Sequence, residues 1–449
     1  MFNNYNLAMQ KIVQQVRTKI FEFQLKGNIF IAYSGGLDSA VLLHSIFSNK
    51  EHFPDKKIIA VHVDHGLQDA SSLWAQQCEQ IAVGLGVDFR LVQLQINKNP
   101  GESIELAARN ARYREFEQIL KEDDVMLFAH HADDQVETFL QQALRGAGVQ
   151  GLSGIPESRS LGKGCLLRPL LDVSRAELEE YAQVNQLQWV EDPTNHESDF
   201  DRNLLRNEII PQLEKRWPGA KKGILRSLSH CREASQQIDD ETNNLLTGIV
   251  QENQLLVAEL SKLDFVQQKN AIRLWIRNNN IVLPNAERLE SGIKALIGAA
   301  VDKNPVLDWD FGVIRRYQGM LYIEKMECQS VREELSWDMC SVIKIDMETA
   351  LEPMCVSGIG LNKQYASSGD ITIRYRKGGE RCRPFGRKGS HELKKLFQEY
   401  KVPPWMRDKI PLIYIGDEIA AVVGCCYCEP FAHKGDDAIM IEVNKVDSE

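Results

Sequence analysis

The 449-residue chain has no long apolar run. Its longest, such as Ala420 to Cys426, fall far short of the roughly 20 residues that a membrane-spanning helix needs. Met1 to Ile20 is polar and mixed and lacks the apolar centre of an export signal. A cytoplasmic protein with no membrane partner is therefore expected. A Walker phosphate loop is also absent, because no G-x-x-x-x-G-K-[ST] run occurs. Cysteines number ten, but they are scattered, and without an export signal they read as reduced thiols. Cys425 and Cys428 form one C-x-x-C with no second pair at similar spacing, which a four-ligand zinc site would want. That segment reads as a strand with small side chains. No internal repeat or low-complexity tract occurs.

What remains is the composition of a globular chain, with 43% hydrophobic and 26% charged residues. Its length predicts two to four domains. Net charge is −10, which argues against polyanion binding until the distribution is considered. From Ile371 to Ile410 there are 12 Lys plus Arg and 4 Asp plus Glu, so this stretch alone carries +8. A basic patch on an acidic protein is the footprint of a selective polyanion binder.

The first part alternates strand-like and helix-like segments. Strands are expected at Ile29–Tyr33, Lys57–Val63, Phe89–Ile96 and Val125–His130. Helices are expected at Asp38–Phe47, Ser71–Leu85, Glu102–Leu120 and Asp133–Arg145. Continuous apolar strands between helices predict a doubly wound, mostly parallel sheet. Ligands in such sheets bind at the carboxyl ends of the strands. Ser34, Asp64 and His131 all fall at or just after such ends. Gly146 to Gly164 reads as a loop, and Trp217-Pro218-Gly219 as a boundary. Ala220 to Ala300 is helical in character, Val313 to Glu324 is a hairpin turning at Gln318-Gly319, and the last part mixes short strands with a helix over Ser390 to Tyr400.

Two constellations carry chemistry. In Ser34-Gly35-Gly36-Leu37-Asp38-Ser39, between a strand and a helix, the glycines permit tight geometry and close approach of an anion. The helix amides and dipole then favour that anion. Asp38 repels phosphate and makes sense as a Mg²⁺ ligand. The second constellation is His130-His131-Ala132-Asp133-Asp134-Gln135-Val136-Glu137-Thr138. Asp134 and Glu137, three apart at a helix start, share one face. They fit either a capping box or a site for Mg²⁺ or a cationic substrate, and a neutral imidazole beside them would move a proton. Arg109, on the preceding helix, would stabilise charge on phosphate.

The loop resembles that of the N-type ATP pyrophosphatases, which cleave ATP between the α and β phosphates and transfer AMP to an oxygen. Further runs extend the likeness to the tRNA(Ile)-lysidine synthetase family over almost the whole length. They are His62 to Leu67, Glu105 to Arg109, Arg145-Gly146, Leu152-Ser153-Gly154, Arg168 to Leu171, Asp192 to Asn195, Arg374 to Arg383, Gly386-Arg387, Leu393 to Lys395, Val402 to Trp405 and Pro411 to Tyr414. The resemblance implies the adenine nucleotide alpha hydrolase-like fold, followed by a helical domain and a small α+β domain. It implies that ATP adenylates O2 of the wobble cytidine in the CAU anticodon of tRNA(Ile). The ε-amine of free L-lysine then attacks C2 and expels AMP.

On this reading Ser34, Gly35, Gly36, Leu37, Asp38 and Ser39 bind ATP and Asp38 holds Mg²⁺. Asp134 and Glu137 bind lysine or remove its proton, and Arg109 and His131 contact the adenylate or its transition state. Arg202 and Arg206 grip the anticodon stem, while Arg374, Arg376, Arg381, Arg383, Lys394 and Lys395 hold tRNA phosphates. The expected division is a catalytic domain at 1–217, a central helical domain at 218–325 and a basic tRNA-binding domain at 343–445. Self-association as a homodimer is left open. A tRNA thiolase of the same superfamily would want cysteines near the loop, where Cys78 and Cys165 are isolated. An amidating synthetase would not need a basic last domain. A non-catalytic tRNA-binding protein would not need a complete loop.

Overall fold

The computed structural model describes residues 2–66, 71–94, 104–190, 201–300, 303–326, 334–346, 349–365 and 370–445. It divides into two compact units, Met1–Thr242 and Asn243–Glu449. Among the described residues no helix is long and apolar enough to cross a membrane.

In order, the first unit contains α1 (Phe2–Glu22), β1 (Ile29–Ala32), α2 (Leu37–Phe47), β2 (Ile58–Asp64), α3 (Ser71–Gly84), β3 (Asp88–Gln93), α4 (Ile104–Ile119) and β4 (Val125–Leu127). After these come α5 (Ala132–Leu144), α6 (Val149–Leu152), β5 (Ser158–Leu161), β6 (Gly164–Leu167), α7 (Arg175–Val184), α8 (Asp201–Leu204), a π turn at Leu205–Ile209, α9 (Ile210–Arg216) and α10 (Ala220–Thr247), whose last residues pass into the second unit. The sheet order is β3-β2-β1-β4-β6-β5, parallel throughout except for β5, which runs against β6.

Strand alternation explains why β1 and β4 are apolar at every position. Ile29, Ile31, Val125 and Leu127 enter the core on one face, with Val41, Leu42 and Leu178. Phe30 and Met126 enter the core on the other, with Phe116 and Phe128. A strand buried on both faces has no polar side to show. Because β2 and β4 flank β1 on opposite sides, the chain reverses its winding between β1 and β4. That crevice is where ligands bind in open α/β sheets.

Sequence and structure differ at Gly146–Gly164, which holds α6 and the edge strand β5 rather than an unbroken loop. The strand Ser158-Arg159-Ser160 is exposed and polar, so no apolar alternation marks it. Leu67 and the run Asp192 to Asn195 lie outside the described residues.

The second unit begins with β7 (Val250–Gln251), β8 (Gln254–Leu256), α11 (Val257–Leu260), α12 (Phe265–Asn278), α13 (Ala286–Gly298), β9 (Val306–Trp309), β10 (Gly312–Tyr317) and β11 (Met320–Lys325). These strands form one sheet around Trp275, Leu255 and Ile314. The hairpin β10–β11 turns at Gln318 and Gly319, both at positive φ, as its sequence predicts. A second hairpin, β7–β8, interrupts the stretch expected to be helical; its turn residues Glu252 and Asn253 are also at positive φ.

The rest comprises β12 (Leu335–Ser336), β13 (Ile343–Lys344), β14 (Thr349–Asn362), β15 (Ile371–Arg374), β16 (Arg381–Cys382), β17 (His391–Glu392), α14 (Leu393–Glu399), β18 (Leu412–Ile415), β19 (Glu418–Val422), β20 (Cys426–Tyr427) and β21 (Ala432–Lys445). One antiparallel sheet has the order β12-β15-β18-β19-β20, and the long strands β14 and β21 pair beside it with β13. The helix α14 buries Leu393, Leu396 and Phe397 and leaves Lys394 and Lys395 exposed.

Candidate active site

At the carboxyl end of β1 the chain turns through Ser34 and Gly35 into α2. Gly35 is at φ +86°, and a side chain there would start 2.6 Å from the Cys78 Sγ. Gly36 is the N-cap residue of α2 and makes no side-chain capping bond, so the first-turn amides of that helix are left for a ligand. The Ser39 Oγ donates to the Gly36 carbonyl at 2.9 Å and lies 3.1 Å from the Ser34 Oγ. Both hydroxyls are thereby held in the loop.

A cavity of about 630 Å³ opens over this loop. It is lined by Ser34, Gly36, Asp38 and Ser39, by His62 to Asp64 at the end of β2 and His65 and Gly66 after it, by Arg112 of α4, by His130 and Asp134 after β4, and by Arg202 and Arg206. Its size is that of a small-molecule site. Loop and carboxylates therefore face each other across the crevice between β1 and β4.

On the far side, His131 caps α5. Its Nδ1 accepts from the Asp133 amide at 3.2 Å, while the Asp134 carboxylate accepts from the His131 amide at 2.8 Å. This is the reciprocal capping box anticipated for the segment, closed by His131 and Asp134 rather than by Asp134 and Glu137. His131 is 2% exposed, and its Nε2 lies 3.6 Å from both an Asp38 oxygen and an Asp134 oxygen. It bridges the phosphate loop to the carboxylate pair. Burial opposes its protonation, but hydrogen bonding to Asp38 and the charges of Asp134, Asp38 and Asp133 outweigh burial and raise its pKa. The cap bond pulls the other way, since an accepting Nδ1 carries no proton.

Asp134 and Glu137 are 6% and 1% exposed. Arg202 donates to both, with Nε 2.6 Å from Glu137. Arg206 Nε donates to Glu137 at 2.6 Å and its terminal nitrogen approaches Asp134 at 3.4 Å. Burial pushes the Asp134 pKa up, but the charges of His131 and Arg202 and the hydrogen bond from the His131 amide bring it below the usual carboxylate range. Two guanidiniums are thus inserted over two nearly buried carboxyl groups, and the lowered pKa keeps Asp134 ionised.

Arg175 Nη1 donates to Asp38 at 2.6 Å, and Lys221 pairs with Asp133. Both partners were invisible in the sequence, because each lies in a segment with no motif and far along the chain from its acid. His130 is held neutral: burial lowers its pKa to about 4, and the Arg168 Nε donates to its Nδ1 at 3.3 Å. Arg109 is exposed, its guanidinium 5.4 Å from the Tyr113 ring. Arg112, one turn along α4, is the arginine of that helix that lines the cavity. Its Nε and the His65 Nδ1 are buried and have no hydrogen-bond partner among the described residues. The spacing of Arg109 and Arg112 on the helix, three residues apart, is the signal that would have found it.

The basic residues of the second unit sort by partner. The four acids of 371–410 are each engaged by an arginine of the same stretch: Asp408 and Glu380 by Arg376, Glu392 by Arg381, and Glu399 by Arg387. Arg374 pairs with Glu334 at 2.7 Å and stacks on Tyr414. Arg383, Lys394 and Lys395 are exposed and have no ion pair among the described residues. The indole of Trp405 packs edge-on against Tyr317 and Tyr322, with Arg315 over it.

Comparison with known proteins now decides the family. A PP-loop domain model matches residues 8–213, a TilS substrate binding domain model matches 255–322, and a TilS substrate C-terminal domain model matches 371–443. The tRNA(Ile)-lysidine synthase of Coxiella burnetii is 42% identical over 413 residues, 91% of this chain and 91% of that protein. The chain belongs to the tRNA(Ile)-lysidine synthase family. The enzyme of the same name from Legionella pneumophila is 35% identical over 90% of this chain and 92% of its own length. That from Methylococcus capsulatus is 37% identical over 88% and 90%. Relatives of the family thus align with both units, and the PP-loop match covers the strand–loop–helix that carries Ser34 to Ser39.

Proposed function

We propose that this chain ligates free L-lysine to C2 of the wobble cytidine in the CAU anticodon of tRNA(Ile), with ATP converted to AMP and pyrophosphate. The observation that supports this most is the crevice itself, with a phosphate loop on one side and the ionised, nearly buried Asp134 on the other, bridged by His131.

In the first step the cytosine O2 attacks the α-phosphorus and pyrophosphate leaves. The α2 amides and the Ser34 and Ser39 hydroxyls stabilise the charge that collects on the leaving group. Arg112, with an unpartnered Nε in the cavity, faces the same charge, and Arg109 at the surface is a second candidate. Asp38 lines the cavity and offers hard oxygen donors that suit Mg²⁺, which would neutralise phosphate charge when bound. One Asp38 oxygen is engaged by Arg175 and the other lies 3.6 Å from the His131 Nε2, so a metal would share an oxygen with one of them.

In the second step the lysine amine attacks C2 and AMP departs with O2. Arg202 and Arg206 stand where the lysine ammonium is proposed to bind, and Asp134 is the member of the carboxylate pair that reaches the cavity. An ionised, low-pKa carboxylate recruits a cation but is a weak base. The attacking nitrogen turns acidic as it bonds to C2, so even that weak base, Asp134 at the cavity wall, is proposed to take its proton, while His131, whose Nδ1 already accepts from the Asp133 amide, holds the carboxylate in place. Catalysis is assigned to 1–217, and tRNA phosphates to Arg383, Lys394 and Lys395 first, with Arg374, Arg376 and Arg381 acting only when their acid partners release them.

The test is ATP labelled at the α-phosphate, incubated with unmodified tRNA(Ile) transcript and no lysine. The proposal expects tRNA-dependent pyrophosphate release with label retained on tRNA. ATP turnover indifferent to tRNA would overturn it.

A further inference from the structure

Outside the crevice, one group of side chains sits at metal-ligand spacing among the described residues. The Sγ atoms of Cys382, Cys426 and Cys428 all lie within 4.8 Å of one another. The sequence offered Cys425 and Cys428 as an unmatched C-x-x-C. The structure instead joins Cys426 and Cys428 to a residue more than forty positions earlier on β16.

Backbone bonds set this convergence. Phe385 donates to the Tyr427 carbonyl at 2.9 Å, Glu429 to the Arg383 carbonyl at 2.8 Å, and Cys428 to the Ala420 carbonyl at 2.8 Å. A bridge also pairs Pro384 with Cys428. The two segments are therefore held in register by their main chains, and the three sulfurs meet without rotating any backbone. Cys382 and Cys428 are buried in a small core with Leu393, Phe397 and Ile419, and Cys426 is half-buried. Such a place protects thiolate–metal bonds from competing water.

We propose that Cys382, Cys426 and Cys428 form a thiolate site for a soft divalent metal of the zinc class. Three sulfurs fill three of zinc's four tetrahedral positions and leave the fourth to water. Each thiol gives up its proton as the metal binds, so loading releases acid. The site pins the segment bearing Arg381 and Arg383 to β20 and the residue after it. It would hold the basic segment in shape, which is independent of the ATP chemistry of the first unit.

The experiment uses the full chain, purified under reducing conditions and stripped with chelator. Co²⁺ is titrated as a spectroscopic probe, and wild type is compared with Cys382→Ala and Cys426→Ala. One equivalent of Co²⁺ with an intense sulfur-to-cobalt charge-transfer band, lost in both variants, is the expected result. Alkylation of the wild type with and without Zn²⁺, mapped by mass spectrometry, keeps the test decisive should a variant misfold. Zn²⁺ should slow modification of Cys382, Cys426 and Cys428 at least tenfold and leave the exposed Cys340 and Cys355 unchanged. No charge-transfer band in the wild type, a band that survives both substitutions, or equal alkylation with and without Zn²⁺ would each overturn the site.

Discussion

Adding one methyl group to either glycine of the loop separates what the loop needs to fold from what it needs to act. Gly35 sits at φ +86°, and an alanine there would place its Cβ 2.6 Å from the buried Cys78 Sγ. The left-handed backbone costs about 1–2 kcal/mol for an L residue. Overpacking adds about 1–3 kcal/mol, since Cys78 is fully buried and cannot swing away. The sum, about 2–5 kcal/mol, should lower the melting point of the first unit by at least roughly 4 °C.

Gly36 is the opposite case. Its φ is −72°, and the nearest heavy atom to a new Cβ is the Ser34 Oγ at 3.6 Å. Gly36→Ala should therefore melt like the wild type, within about 0.5 kcal/mol. Yet that methyl would stand in the cradle where the phosphates are proposed to lie, displacing hydrogen bonds worth about 1.5–3 kcal/mol each to a charged group. Activity should fall by a factor on the order of 10–100. Circular dichroism melts and tRNA-dependent pyrophosphate release, run on both variants, form the assay. Cys78→Ala should restore part of the Gly35→Ala loss by removing the clash. A Gly36→Ala enzyme with full activity would refute the placement of phosphate on this loop.

Glu137→Gln keeps the packing but removes half of the anionic pair, so lysine incorporation should fall at least tenfold while tRNA-dependent AMP transfer persists; loss of both steps together would count against a lysine role. His130 carries a pKa near 4 in the folded chain against about 6.5 unfolded. The unfolded chain therefore takes up a proton first, and stability present above pH 6.5 is lost as pH falls towards 4, by at most about 1.4 kcal/mol per pH unit. His130→Asn should flatten melting curves over that window, and an unchanged pH slope would contradict the neutral assignment. Lys394→Ala with Lys395→Ala should weaken tRNA binding evenly across sequences. It should also make the slope of log affinity against log salt shallower by somewhat less than one per lost contact, as titrations at several salt concentrations would read.

How far the sequence revealed these features depended on range. β1 and β4 were legible because burial on both faces forces every position to be apolar, and the loop because its glycines and acid sit together. The His131–Asp134 box was legible as chemistry, though the capping partners had to be seen. Arg175, Lys221 and Cys382 were not legible, since each meets its partner across forty or more residues and no local pattern records that meeting. The hairpin at Val250–Leu256 was hidden for another reason: Leu255, Leu256 and Val257 continue into helix, and only the positive φ of Glu252 and Asn253 breaks the run.

The most direct test of the account is transfer of radiolabelled lysine to an unmodified tRNA(Ile) transcript with ATP and Mg²⁺, beside a transcript whose wobble cytidine is replaced by uridine. The account predicts ATP-dependent label on the CAU transcript, none on the uridine transcript, and none from Asp38→Ala. Label that is indifferent to the wobble base, or ATP cleaved with tRNA but no lysine attached, would contradict it.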